Sequence, residues 1–188
     1  MQPGQKKINR NFILLLSFIL LILIAIAPSQ LYLFKRNYQL NPELKDTIIH
    51  SAAQSLRTLD VPVGAVLLYG NQIIGIGFNT VVRDSNVAGH AEINAINDAI
   101  RKSGFKTFSG YKRDSIYMLS TFDPCLMCRG ALIEYGIRHI IFLKEKTWFE
   151  RIKTSLKEMR LNLMQSHTPG ASLQDSLFRL HPAYHQRN

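Results

Sequence analysis

Two short stretches of the chain carry side chains that could do chemistry together. PCLMC (124–128) holds Cys125 and Cys128, the chain's two cysteines, and GHAEIN (89–94) holds His90 and Glu92. Cysteines three apart on the first turn of a helix put both thiols on one face, and a helix N-terminus favours the thiolate. That arrangement suits a metal site, and it also suits a Cys-x-x-Cys thiol–disulfide pair. Two cysteines are too few for a disulfide scaffold. With His90 they make three protein ligands, and three ligands with an open fourth position is the pattern of catalytic zinc, whereas structural zinc sites close with four. Zinc held in this way brings the pKa of a bound water toward ~7 and so provides a hydroxide nucleophile. Glu92 stands roughly 200° around an ideal helix from His90. In a first turn it could still reach over the open position, take the water's proton and pass it to a leaving nitrogen, as general base and then general acid.

The rest of the chain must bring these stretches together. Asn41-Pro42-Glu43 reads as N-cap, N1 proline and first-turn acid, and Leu44, Ile48, Ile49, Ala52 and Leu56 follow at helical spacing, which predicts a helix over 43–57. VPVGAVLLYG (61–70) and QIIGIGFN (72–79) read as strands joined by a tight turn at Gly70-Asn71. A polar loop over 79–89 leads into a helix from His90 to Ser103, closed by Gly104. Residues 105–114 read as a loop, 115–121 as a strand, 125–135 as a helix ending at Gly136 and 138–143 as a strand. A basic helix over 147–164 carries an apolar stripe of Phe149, Ile152, Leu156, Met159 and Leu163. The stripe is expected to pack on the sheet edge, with an anionic lipid surface as the alternative. Residues 165–188 read as a loose tail. Strands alternating with helices after an opening hairpin predict an α/β fold, a three-layer α/β/α sandwich with a mixed sheet.

The chain's 188 residues leave room for one domain with a core. An apolar run, FILLLSFILLILIAIA (12–27), follows Lys6, Lys7 and Arg10, and Leu31, Tyr32, Leu33 and Phe34 can extend it past Pro28. A cleaved signal peptide competes with a retained anchor, but proline is a poor fit just after the Ala25-Ile26-Ala27 cut. The expectation is a basic flank over 1–11, a single transmembrane helix over 12–34, a folded domain over 41–164 and membrane localisation. Flanking charges are nearly balanced between the two ends of the run, so the positive-inside rule hardly favours one side. Net charge is +10 and the isoelectric point about 9.8, which favours anionic partners such as nucleic acid, nucleotides or phospholipid.

The chain resembles the cytidine deaminase-like superfamily, in which H-x-E followed by P-C-x-x-C is the zinc deaminase pattern. The resemblance covers about residues 43–145. It rests on PVGAV (62–66), IIGIGFN (73–79), His90-Ala91-Glu92, PCLMC (124–128) and RGALIEYGIRHIIF (129–142), and is closest to the branch of tRNA adenosine deaminases and guanine deaminases. It implies an α/β/α fold, a catalytic zinc and hydrolytic release of ammonia. It implies His90, Cys125 and Cys128 as zinc ligands and Glu92 as the proton shuttle. It further implies Asn79 as a substrate contact, the Ala91 backbone N–H as a donor to the base, and Val63 as the pocket floor. Asp123 stands where Glu is usual, Gly89 replaces a common Ala, and the pattern is lost after residue 145. The leading expectation is a membrane-anchored zinc deaminase of a nucleobase, nucleoside or nucleotide, with homodimerisation implied by relatives. Adenosine-to-inosine deamination of tRNA is the alternative. A membrane-tethered thiol–disulfide protein and a silent binding module are the readings from other classes; the first leaves His90 and Glu92 without a task, and the complete residue set argues against the second.

Overall fold

The computed structural model describes residues 10–26, 39–166 and 171–180. The chain divides after Arg151 into two units. The first begins with helix α1 (Arg10–Ile26), 17 residues long. At 1.5 Å per residue it spans roughly 26 Å, short of the ~30 Å hydrocarbon core. Among the described residues no helix is long and apolar enough to cross a membrane. This corrects the expected transmembrane anchor over 12–34 and the membrane localisation drawn from it. The proposed extension through Leu31–Phe34 lies outside the described residues.

Helix α2 (Pro42–Ser55) starts as its sequence dictates: the Asn41 side chain accepts the Leu44 N–H at 2.8 Å, and Pro42 fills the first turn. Strands β1 (Gly64–Tyr69) and β2 (Gln72–Phe78) form the expected hairpin, with Gly70 at φ +59 in its turn. Then come α3 (Ala91–Ser103), the short α4 (Phe105–Gly110), β3 (Ile116–Phe122), α5 (Leu126–Glu134) and β4 (His139–Lys144). The sheet order is β2-β1-β3-β4; β1 runs antiparallel to β2 and β3, and β3 runs parallel to β4.

The sheet has two covered faces. Every side chain of β1 from Ala65 to Leu68 is buried, because this central strand alternates between two cores. Val66, Leu68 and Leu119 meet Ile48 of α2 on one face. Ala65, Leu67, Ile116 and Met118 meet α3, α4 and α5 on the other. The mixed sheet and its three layers match the fold class read from the element order. Helix α3 lies close against β2 because Gly77 has no side chain. A Cβ there would strike the backbone of Ala91, Asn94 and Ala95.

Two regions differ from the sequence reading. Residues 105–114 contain α4 and a 3-10 turn (Arg113–Ser115) in place of a loop. Phe108 is buried in the core, and the Arg113 guanidinium donates to Phe108 O at 2.7 Å and Ser109 O at 2.6 Å, satisfying the carbonyls at the end of α4. In the second unit, α7 (Ala171–Leu180) lies within the expected tail, where apolar residues recur at intervals of three and four. Helix α6 (Trp148–Leu163) begins in the first unit and continues into the second. It buries no residue, and Phe149, Leu156, Met159 and Leu163 of the expected stripe are all more than half exposed.

Candidate active site

His90 and Cys125 occupy the N-cap positions of α3 and α5. Helices favour Ser, Thr, Asp or Asn there, and a lost cap costs about 1 kcal/mol. Neither side chain makes a capping hydrogen bond, so both are free to point elsewhere. They point at each other: His90 Nδ1 lies 3.6 Å from Cys125 Sγ, and Cys125 Sγ lies 3.6 Å from Cys128 Sγ. The ligand atoms of all three residues fall within 4.8 Å of one another. A tetrahedral zinc with ordinary Zn–S and Zn–N bonds spaces its ligands by roughly 3.5–3.8 Å. One imidazole and two thiolates therefore fit zinc in chemistry and in spacing.

The thiols are already polarised. A hydrogen bond from Cys128 pulls the Cys125 thiol down to about 5, against the opposing effect of burial and with help from backbone N–H groups of the first turn of α5. The same bond, burial and the nearby Glu92 carboxylate push the Cys128 thiol up.

Glu92 is 3% exposed and accepts a hydrogen bond from the Ser120 hydroxyl of β3 at 3.1 Å. It shares with His90 and Cys125 the wall of a cavity of about 380 Å³, which Val63, Asn79 and Ala91 also line. Six of the seven residues singled out in the sequence thus meet on one cavity wall, and the seventh, Cys128, lies buried behind Cys125. The Asn79 backbone N–H donates to Val63 O at 3.0 Å, which ties the end of β2 to the segment before β1. Ala91 is the first residue of α3, so its N–H has no acceptor within the helix.

The structure adds residues that the sequence did not mark as part of the site. Asp60 accepts the Val82 and Arg83 N–H groups at 2.6 and 3.2 Å and the Thr58 hydroxyl at 2.7 Å, pinning the loop after β2 to the cavity rim. Asp123 is buried between Arg129, at 2.6 Å, and Arg151, at 2.9 Å. Lys146 donates to Pro124 O at 2.7 Å, beside Cys125. One signal was readable for Ser120: a polar residue in register with the apolar Ile116 and Met118 of an alternating strand.

Two helix N-termini that bring three metal-capable ligand atoms together beside a buried carboxylate and a cavity have the arrangement of a catalytic metal site in an α/β/α fold. A family model for the cytidine and deoxycytidylate deaminase zinc-binding region matches residues 42–144. The chain belongs to that deaminase family, and its His90, Cys125 and Cys128 could hold a metal ion. It is 31% identical over 110 residues to a tRNA-specific adenosine deaminase of Buchnera aphidicola subsp. Schizaphis graminum, covering 55% of this chain and 70% of that protein. It is 34% identical over 98 residues to a tRNA-specific adenosine deaminase 2 of Xenopus laevis, covering 47% and 55%. The chain therefore spans between about half and 70% of these relatives. A solved guanine deaminase from Bacillus subtilis superposes with a TM-score of 0.49 at 25% identity, covering 61% of this chain and 71% of that one.

Proposed function

We propose that this protein hydrolyses the exocyclic C–N bond of an amidine-type ring in a nucleobase, nucleoside or nucleotide, releasing ammonia. One observation carries the reading: three metal-capable ligand atoms lie within 4.8 Å of one another, and two of their residues, His90 and Cys125, line the same cavity as a buried glutamate. His90, Cys125 and Cys128 are the residues that would hold zinc. Bound zinc supplies a Lewis acid and, at neutral pH, a hydroxide nucleophile. Glu92 accepts the water proton on its carboxylate and returns it to the nitrogen side of the ring carbon. An oxygen–carbon bond forms, the carbon–nitrogen bond breaks, and ammonia leaves without any change in oxidation state. The orphan N–H of Ala91 and the side-chain amide of Asn79 orient the base, and Val63 packs against it.

A second reading, adenosine deamination in tRNA, is favoured by the names of the curated relatives and by the net charge of +10. One assay separates the two. The zinc-loaded full chain is given guanine, cytosine and adenine, their nucleosides and nucleotides, and an adenosine-bearing anticodon stem-loop, and ammonia release is followed. Turnover of a small molecule supports the first reading and turnover of the stem-loop alone supports the second, with Glu92→Ala at least ~100-fold slower in either case. Stoichiometric zinc with no turnover on any of these substrates would overturn both.

A further inference from the structure

Ser120 sits where the alternation of β3 asks for a third core residue. Ile116 and Met118 face the apolar layer under α3 and are fully buried, and Ser120, two residues on and on the same face, is as buried as they are. A hydroxyl in that position costs free energy unless it is bonded. It has two side-chain bonds: the Phe122 N–H donates to Ser120 Oγ at 3.4 Å, and Oγ donates to Glu92 Oε1 at 3.1 Å. The first occupies the serine oxygen as acceptor and leaves the hydroxyl proton for the carboxylate.

Glu92 also neighbours the Cys128 thiol. A cysteine that binds a metal does so as thiolate and has no proton to give. The Ser120 hydroxyl is then a donor that Glu92 keeps when the cysteines hold a metal. A glutamate has several rotatable bonds, and a proton-transferring group gains from being held before substrate arrives.

We propose that Ser120 is a positioning residue for Glu92: its hydroxyl anchors Oε1 and leaves Oε2 as the oxygen that takes and returns the proton. This rests on the reading of Glu92 as the proton-transferring group. Ser120→Ala removes one buried hydroxyl without changing the apolar character of the strand face, so the variant folds and keeps stoichiometric zinc.

The test combines kinetics with crystallography. Ammonia release from guanine and from the adenosine-bearing stem-loop is measured for wild type, Ser120→Ala, Ser120→Thr, Glu92→Asp and the Ser120→Ala/Glu92→Asp pair. For the substrate turned over, Ser120→Ala lowers kcat about tenfold with KM within about twofold. Ser120→Thr restores most of the loss. Glu92→Asp shortens the side chain past the reach of Ser120, so adding Ser120→Ala to it changes nothing further. Crystal structures decide the matter without turnover: Glu92 holds one rotamer in wild type and several in Ser120→Ala. An unchanged Glu92 rotamer, a kcat equal to wild type, or a full additional loss in the double variant would each overturn the role of Ser120. Full activity in Glu92→Ala would instead overturn the reading on which it rests.

Discussion

His90 Nδ1 and Cys125 Sγ stand 3.6 Å apart although 35 residues separate them in the chain. Each stands at the N-cap position of a different helix, and the two helices follow the ends of β2 and β3 at the same end of the sheet. The closeness is a product of sheet order: with β1 between β2 and β3, the connections leaving the two strands that flank β1 converge on one cavity.

Zinc should bind one per chain and stabilise the fold. At a free zinc concentration about 100 times its Kd, linkage gives roughly 2.7 kcal/mol. For a chain of this size that raises Tm by about 5–10 °C. His90→Ala, Cys125→Ala and Cys128→Ala should each abolish stoichiometric binding and the Tm rise. Calorimetry with metal analysis checks both.

Gly77→Ala should damage the site from the far side of α3. The added Cβ meets helix backbone, which cannot swing away as a side chain could. Helix α3 must move off β2, at about 1–3 kcal/mol, and His90 moves with it. The expected outcome is lower urea stability together with weaker zinc binding. Gly110→Ala, where an added Cβ meets nothing, should show neither effect.

Asp123→Asn should be among the most destabilising single changes near the cavity. It leaves the guanidiniums of Arg129 and Arg151 without their shared carboxylate. Breaking a buried pair costs about 3–5 kcal/mol; Arg129 is about one-third exposed and solvent screens part of that, which puts the expectation near 2–3 kcal/mol. Equilibrium urea denaturation measures it, and Arg129→Ala should cost less than Asp123→Asn.

Asp60 makes the rim loop acid-sensitive. Burial alone would raise its pKa, but the N–H groups of Val82 and Arg83 and the Thr58 hydroxyl together hold it below the usual carboxylate value. A depressed carboxylate contributes stability above its unfolded pKa, near ~3.9, and loses it as pH falls through the folded value. The loop should therefore stay latched at neutral pH and loosen only below about pH 4. Asp60→Ala should unlatch it at every pH, seen as roughly tenfold faster amide exchange at Val82 and Arg83.

The elements legible in the sequence are those set by near neighbours. Asn41-Pro42 starts α2 and Gly70 turns the hairpin because a cap and a left-handed turn depend on a few adjacent residues. The stretch 105–114 read as a loop because its helical turn is held by Arg113 and by Phe108 entering the core, and neither shows in local pattern. The apolar run near the N-terminus suggested a membrane span from hydropathy, whereas among the described residues α1 has 17 residues and no helix is long and apolar enough to cross a membrane.

For the site, residue types and their spacing determined the donor set: one imidazole and two thiols at helix starts, with a carboxylate two residues from the imidazole. Such choices are chemical and survive in one dimension. Only the tertiary structure decided that Ser120 meets Glu92 across 28 residues, that Asp60 latches the loop across 22, and that Asp123 is shared by Arg129 and Arg151. Those contacts depend on strand register and on how closely helices pack against the sheet, and packing energies are summed over the whole core.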